Sequence, residues 1–413
     1  MPVRVLAAVL VLMVLAACVG QRPTTGGTAP PDGDTSTTSE ATGTTTAASA
    51  TASSRSATSA RAAGTTTTVA PAVDPLSKVP PGGYFDGKRP PQFVLISFDG
   101  AADPALMARW RAAAEASQAR LTFFLSAVYL LGKQTRLLYQ GPGHAVGASA
   151  IGFSPTPAGQ DDNAYITAVV RSLQDAVRAG NEVGNHYGGH WCGASGVNTW
   201  GKAEWATELN QVESLVLKVD NNNKLATPVG PPYDPLRVAG SRTPCLEGKL
   251  DDLYTVLKAR GYRYDASNTR GFFDWPRQRK GLWAFGFAGI TIAGLDRATL
   301  PLDFSISTGF KGDAVKGTLT AEQTNQIYVA VRDAYLKAFD QLYYGARTPF
   351  ELSNHFVEMD GDAYNRALEE TMRTVCVKPE VVCATYSQVA QWLDEHAAEF
   401  DALQAGTFKK LAR

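Results

Sequence analysis

From residue 93 onward, short β-branched or aromatic runs alternate with longer helical patterns, and that alternation restricts the chain to folds built on a parallel sheet. Strand patterns fall at 93–98, 121–126, 181–185, 238–241, 262–265, 290–293, 350–353 and 381–385. Helical patterns lie between them at 103–117, 161–179, 203–217, 250–260, 321–343, 361–375 and 387–400. In the longest, Ala330, Ala334, Phe339 and Leu342 recur near one face. This many β-then-α units around one core predict an α/β fold with a single (β/α) barrel, incomplete or distorted, although an open doubly wound sheet would use the same order.

In such a barrel the reactive groups come from the carboxyl ends of the strands. Four polar side chains stand there in sequence: Asp99 after Val94-Leu-Ile-Ser-Phe98, His186 after Glu182-Val-Gly, Arg242 after Val238-Ala-Gly-Ser241, and His355 after Phe350-Glu-Leu-Ser-Asn354. Of only five histidines, His186 and His190 sit four residues apart. Two neutral imidazoles this close can grip one divalent ion, and a bound metal turns water into a nucleophile near neutral pH. Tyr187, Gly188 and Gly189 between them lack the glutamate of a His-Glu-x-x-His helix and are poor helix formers, so a strand end entering a Gly-rich loop fits better. The bland alternative is a pair of loop histidines satisfied by backbone carbonyls.

The N-terminus predicts export. Arg4 precedes an apolar run, and Leu15-Ala16-Ala17-Cys18 closes it in a manner that resembles the lipobox of bacterial lipoproteins, with Cys18 as the lipidated residue. Residues 19–78 are dominated by Thr, Ser, Ala, Gly and Pro and bury too little apolar surface to offset their ordering entropy, so they read as a disordered stalk. Residues 1–18 are then a signal peptide, 19–78 a linker and 79–413 one large domain, anchored by lipid at the extracytoplasmic face of the cell membrane. Lys plus Arg and Asp plus Glu balance at 39 each, so nucleic acid is not an expected partner.

With Cys18 lipidated, Cys192, Cys245, Cys376 and Cys383 remain, an even number in an oxidising compartment. Cys376 and Cys383 are near enough in sequence to staple one loop, which pairs Cys192 with Cys245 and ties the His-rich loop to the Arg242 loop. A cysteine ligand to metal beside the histidines is the less favoured alternative.

Taken together, these segments resemble the polysaccharide deacetylase family (NodB-homology carbohydrate esterases), which includes chitin and peptidoglycan deacetylases, here in the form of an exported lipoprotein of actinobacterial type. Ser97-Phe98-Asp99-Gly100 is similar to the family's Thr/Ser-Phe-Asp-Asp-Gly motif, and Leu121-Thr-Phe-Phe-Leu125 to the strand that follows it. Glu182-Val-Gly-Asn-His-Tyr-Gly-Gly-His190 is similar to the His-Thr/Ser-x-x-His motif, Arg242-Thr-Pro-Cys245 to Arg-x-Pro-Tyr/Phe, and Phe350-Glu-Leu-Ser-Asn-His355 to a final strand ending in histidine.

The resemblance implies a deacetylase-type barrel with Asp99 as general base, His355 as general acid, Arg242 orienting the base, and His186 and His190 binding a divalent metal, zinc being the expected one. It also implies a substrate: an N- or O-acetylated cell-envelope glycan or peptidoglycan. The family's second aspartate, a metal ligand, is replaced by Gly100, so Asp99 or Asp103 is the candidate third ligand. Asp103-Pro104 also reads as a helix cap followed by proline, which is the favoured reading. A catalytically inactive glycan-binding lipoprotein is the rival expectation, because loss of that aspartate is what such a relative would show. Asp274-Trp275 and Asp303 are lesser candidates, the latter expected in a turn or edge strand; His144 and His396 are expected to be solvated, and Trp191 is the one tryptophan tied to the site.

Overall fold

The computed structural model describes residues 74–311 and 319–412. The signal segment, Cys18 and most of the linker lie outside the described residues. The turn Pro75–Lys78, counted with the linker on sequence grounds, packs onto the domain: Pro75 is buried and the Lys78 ammonium donates to the Cys376 carbonyl.

The strands are β1 (Gln92–Asp99), β2 (Thr122–Leu125), β3 (Glu182–Asn185), β4 (Gly240–Ser241), β5 (Tyr264–Arg270), β6 (Arg277–Arg279), β7 (Leu282–Ala288), β8 (Phe350–His355) and β9 (Val381–Cys383). The helices are α1 (Pro104–Ala116), α2 (Asp162–Arg178), α3 (Lys202–Leu217), α4 (Val219–Asn223), α5 (Leu250–Ala259), α6 (Asp303–Lys311), α7 (Ala321–Tyr343), α8 (Ala363–Val375), α9 (Tyr386–Glu395) and α10 (Phe400–Ala405). The sheet runs β6-β7-β5-β4-β3-β2-β1-β8, with β9 on the amino end of β1. Every pairing is parallel except β6 with β7. β1 is buried at all eight positions, as a parallel strand covered on both faces must be.

The sheet is an incomplete barrel. No ladder joins β7 to β8; instead the Glu351 carboxylate on β8 accepts from Gly286 N of β7 at 3.1 Å and from Arg270 Nε of β5 at 3.2 Å. The fold therefore agrees with the expected distorted barrel.

Helix boundaries follow their caps. Asp103 Oδ1 accepts Leu106 N at 2.8 Å with Pro104 next in sequence, and Thr320 with Gln323 forms a reciprocal capping box at α7. On α7, Ala334, Phe339 and Leu342 are buried and Ala330 is half-buried at the rim of the same face. Full burial of a side chain such as Phe339 or Leu342 contributes about 1.5–3 kcal/mol. Among the described residues no helix is long and apolar enough to cross a membrane.

Two expectations are corrected. The strand placed at 290–293 lies earlier, at Leu282–Ala288; Ile290 makes only an isolated bridge to Thr299. Asp303 is not in a turn or edge strand but opens helix α6.

Candidate active site

Parallel register carries the site residues to one end of the sheet. Asp99 stands opposite His355 between β1 and β8, while β3 and β4 pair at Asn185 and Ser241, the residues just before His186 and Arg242.

Arg242 is fully buried inside the barrel, and its guanidinium makes five hydrogen bonds and lies over the Phe124 and Phe287 rings. Nη1 donates to Asp99 Oδ1 at 2.8 Å, Ser97 Oγ at 2.9 Å and Ser353 Oγ at 3.0 Å; Nη2 donates to Tyr386 Oη at 2.9 Å and Nε to the Ala266 carbonyl at 3.1 Å. The plane lies 4.4 Å from the Phe124 ring centroid. Burial alone would push the Asp99 carboxyl up, but the Arg242 guanidinium, aided by His355, outweighs it and holds Asp99 below the usual carboxylate range. Asp99 is therefore ionised, with Oδ1 taken by Arg242 and Oδ2 left for a proton or a cation.

His186 Nδ1 lies 2.8 Å from the Arg242 carbonyl. A carbonyl only accepts, so Nδ1 carries the hydrogen and Nε2 presents its lone pair. The His190 ring stands edge-on to it with centroids 5.1 Å apart. Burial lowers the pKa of both rings, and for His190, with His355 adding to the effect, the value falls to about 3. Both are held neutral, the form that ligates metal.

His355 is treated oppositely. Its burial opposes charge, but Asp303 accepts from Nδ1 at 2.7 Å and raises the pKa, with Asp99 contributing further. Contacts link the four: Asp99 pairs in register with His355, Arg242 bonds Asp99 through its guanidinium and His186 through its carbonyl, and the His186 ring faces His190.

The remaining candidates sort by geometry. Asp103 is the N-cap of α1, its Oδ1 occupied by Leu106 N. Gly100 has φ +92° with its amide bonded to the Phe124 carbonyl, and a Cβ there would meet nothing nearer than the Tyr129 ring at 3.5 Å. Asp274 closes a local turn onto Gly271 N and Trp275 is buried against Trp392, so neither touches Arg242. Both expected disulfides form, Cys192–Cys245 and Cys376–Cys383. Sγ of Cys192 and Cys245 lie within 4.8 Å of a His190 ring nitrogen, yet sulfurs tied in a disulfide are not thiolates and do not ligate. His144 and His396 are half-buried and not fully solvated: the first stacks on Trp191 at 3.4 Å and the second on Trp392 at 4.2 Å.

Sequence reasoning did not find Tyr386, Ser97 and Ser353 as partners of Arg242, and it underweighted Asp303. Asp303 carried one usable signal, an acid placed to open a helix just after Pro301.

Two imidazoles whose rings stand 5.1 Å apart suit a divalent ion by donor type. Among the described residues, however, the ligand atoms of His186, His190 and Asp99 do not all lie within 4.8 Å of one another, so a third protein ligand is not in place.

No protein-family model and no curated protein matches the chain. Solved structures similar to it include a protein assigned as a polysaccharide deacetylase from Mycobacterium smegmatis, 16% identical, with 78% of this chain and 93% of that chain covered at a TM-score of 0.43. A CE4 family pseudoenzyme from Bacillus anthracis is 10% identical over 73% of this chain and 66% of that one, with a TM-score of 0.37. The peptidoglycan deacetylase of Bacillus subtilis is 11% identical over 76% and 97%, with a TM-score of 0.36.

Proposed function

We propose that this chain is a metal-dependent hydrolase that removes acetyl groups from an N- or O-acetylated cell-envelope polysaccharide, held at the extracytoplasmic membrane face by lipid on Cys18. The observation that carries the reading is geometric: at one end of the sheet Arg242 holds Asp99 at 2.8 Å and the His186 ring at 2.8 Å, while Asp303 holds the His355 ring at 2.7 Å opposite Asp99, and the pKa directions agree, lowered for His186, His190 and Asp99 and raised for His355. Each group thus rests in the form that acyl hydrolysis asks of it.

His186 and His190 would hold the ion, zinc being the expected one, with Asp99 kept as the base. Bound there, the ion supplies Lewis-acid polarisation of the acyl oxygen and acidifies water. Asp99 takes the proton from the attacking water, and Arg242 keeps that carboxylate ionised and aimed. His355 gives its proton to the departing amine or alcohol, and Asp303 holds the imidazolium in place. The Cys192–Cys245 bridge fastens the loop of His190 to the loop of Arg242.

The test is acetate release from acetylated chito-oligomers, peptidoglycan fragments and small acetyl esters by zinc-supplemented protein. Asp99→Ala and His355→Ala are each expected to cost about 10²–10⁴-fold.

The second reading is a glycan-binding relative without turnover, favoured by Gly100, which offers no side chain, and by Asp103, which is spent as a helix cap. Absence of acetate release from every substrate class, with glycan binding that survives Asp99→Ala and His186→Ala, would select it.

A further inference from the structure

The two histidines are joined by a backbone that the chain does not favour by itself. Tyr187 has φ +62° and His190 φ +55°, left-handed values that cost a non-glycine residue about 1–3 kcal/mol and persist only where the surroundings enforce them. The surroundings here are a buried polar frame from elsewhere in the chain. Glu208, on α3 and fully buried, accepts Gly188 N at 2.8 Å through Oε1. Tyr139, also fully buried, donates to the same carboxylate at 2.9 Å and accepts Gly189 N at 2.8 Å. The Gly189 carbonyl accepts from Ala150 N at 2.8 Å, Tyr187 N donates to Asn185 Oδ1 at 2.7 Å, and the Tyr187 carbonyl accepts from Ala127 N at 2.7 Å.

The same frame explains the two glycines. A Cβ on Gly188 would lie 2.5 Å from the Tyr139 ring and 2.8 Å from Glu208 Oε1, and one on Gly189 would lie 2.8 Å from Tyr139 Oη. Glu208 and Tyr139 occupy the volume where side chains would otherwise stand.

We propose that Glu208, acting with Tyr139, is a positioning residue for the histidine pair: its carboxylate fixes the Gly188–Gly189 backbone and so sets how the His186 and His190 rings face each other. Glu208 touches neither ring and no substrate. Its consequence for metal binding rests on the hydrolase reading; its consequence for ring placement does not.

The two are separated by one experiment on the full-length chain labelled with ¹⁵N-histidine, whose five histidines give a sparse imidazole spectrum. In the metal-free protein, Glu208→Ala and Tyr139→Phe are expected to shift and broaden the His186 and His190 signals while those of His355 and His396 stay in place, with the shape-conserving Glu208→Gln intermediate between Glu208→Ala and the native chain. Titration with Zn²⁺ alone is expected to move the His186 and His190 signals of the native chain, and the apparent affinity to fall about tenfold or more in the variants. Circular dichroism and intact-mass measurement of the disulfides confirm folding; should Glu208→Ala not fold, Glu208→Gln and Tyr139→Phe carry the comparison. Unchanged His186 and His190 signals in folded variants overturn the proposal. Signals that move with the substitutions but ignore Zn²⁺ in the native chain leave the positioning role standing and count against the metal reading instead.

Discussion

Nδ1 of His355 lies 2.7 Å from Oδ1 of Asp303, and Oδ2 of the same buried carboxylate accepts the His355 backbone N–H at 2.7 Å. One acid therefore fixes both the orientation and the charge of the imidazole at the end of β8. Because the pKa of His355 is raised above 6.5, the stabilisation from this pair is complete below the unfolded value and is lost as pH rises through the folded one. Asp303→Asn is expected to make His355 titrate at lower pH in an NMR titration and to draw the alkaline limb of acetate release downward with it. A His355 titration curve that does not move would count against the acid assignment.

Arg242 and Asp99 are both buried, and removing one partner strands the other. Arg242→Ala is expected to lower the unfolding free energy at neutral pH by about 3–5 kcal/mol, read from urea denaturation. The Asp99 contribution has the opposite pH sense to that of His355: with its folded pKa lowered from 3.8, it is present above the unfolded value and is lost as pH falls through the folded one. Arg242→Lys keeps the charge but cannot reach Asp99, Ser97, Ser353 and Tyr386 together, so it is expected to recover only part of the loss.

Gly100→Asp would place a carboxylate beside Asp99 in open space, with the Tyr129 ring at 3.5 Å as the nearest neighbour of the new Cβ. The φ of +92° makes the change strained, at about 1–3 kcal/mol of stability. Tighter Zn²⁺ binding measured by calorimetry, alongside a modest loss in urea stability, is the expected pair of outcomes. Weaker or equal binding would mean that position 100 does not reach the histidine pair.

Glu208 is predicted to make the protein less stable as pH rises. Burial pushes its carboxyl up from 4.5 to about 7, against the pull of Gly188 N–H and the Tyr139 hydroxyl. Between those values the folded state binds the proton more tightly than the unfolded one, so unfolding free energy declines with increasing pH by at most on the order of 3 kcal/mol. Asp265, raised to about 6 by burial, adds a slope of the same sign. Urea denaturation across this range should therefore show a flatter profile in Glu208→Gln than in the native chain, with the Asp265 share remaining.

Strand-end chemistry was legible without coordinates because parallel strands expose their carboxyl ends together. Asp99, His186, Arg242 and His355 each follow a readable apolar run, and the even set of cysteines implied the two bridges that form. The strand at Leu282–Ala288 was not legible, because residues 282–293 form one nearly continuous apolar run in which periodicity gives no boundary; pairing with β5 and β6 selects the first part.

The sequence by itself determined the order of strands and helices, the identity of the ionisable groups at the strand ends, and Gly100 in place of a carboxylate. Tertiary structure decided which protonation state each group holds. Three of the deciding contacts, Asp303 to His355, Tyr386 to Arg242 and Glu208 to Gly188, span 52, 144 and 20 residues, and none belongs to a local motif. A pKa is set by burial and by the charges within a few ångströms, and those neighbours are fixed only when distant segments close around the same cleft.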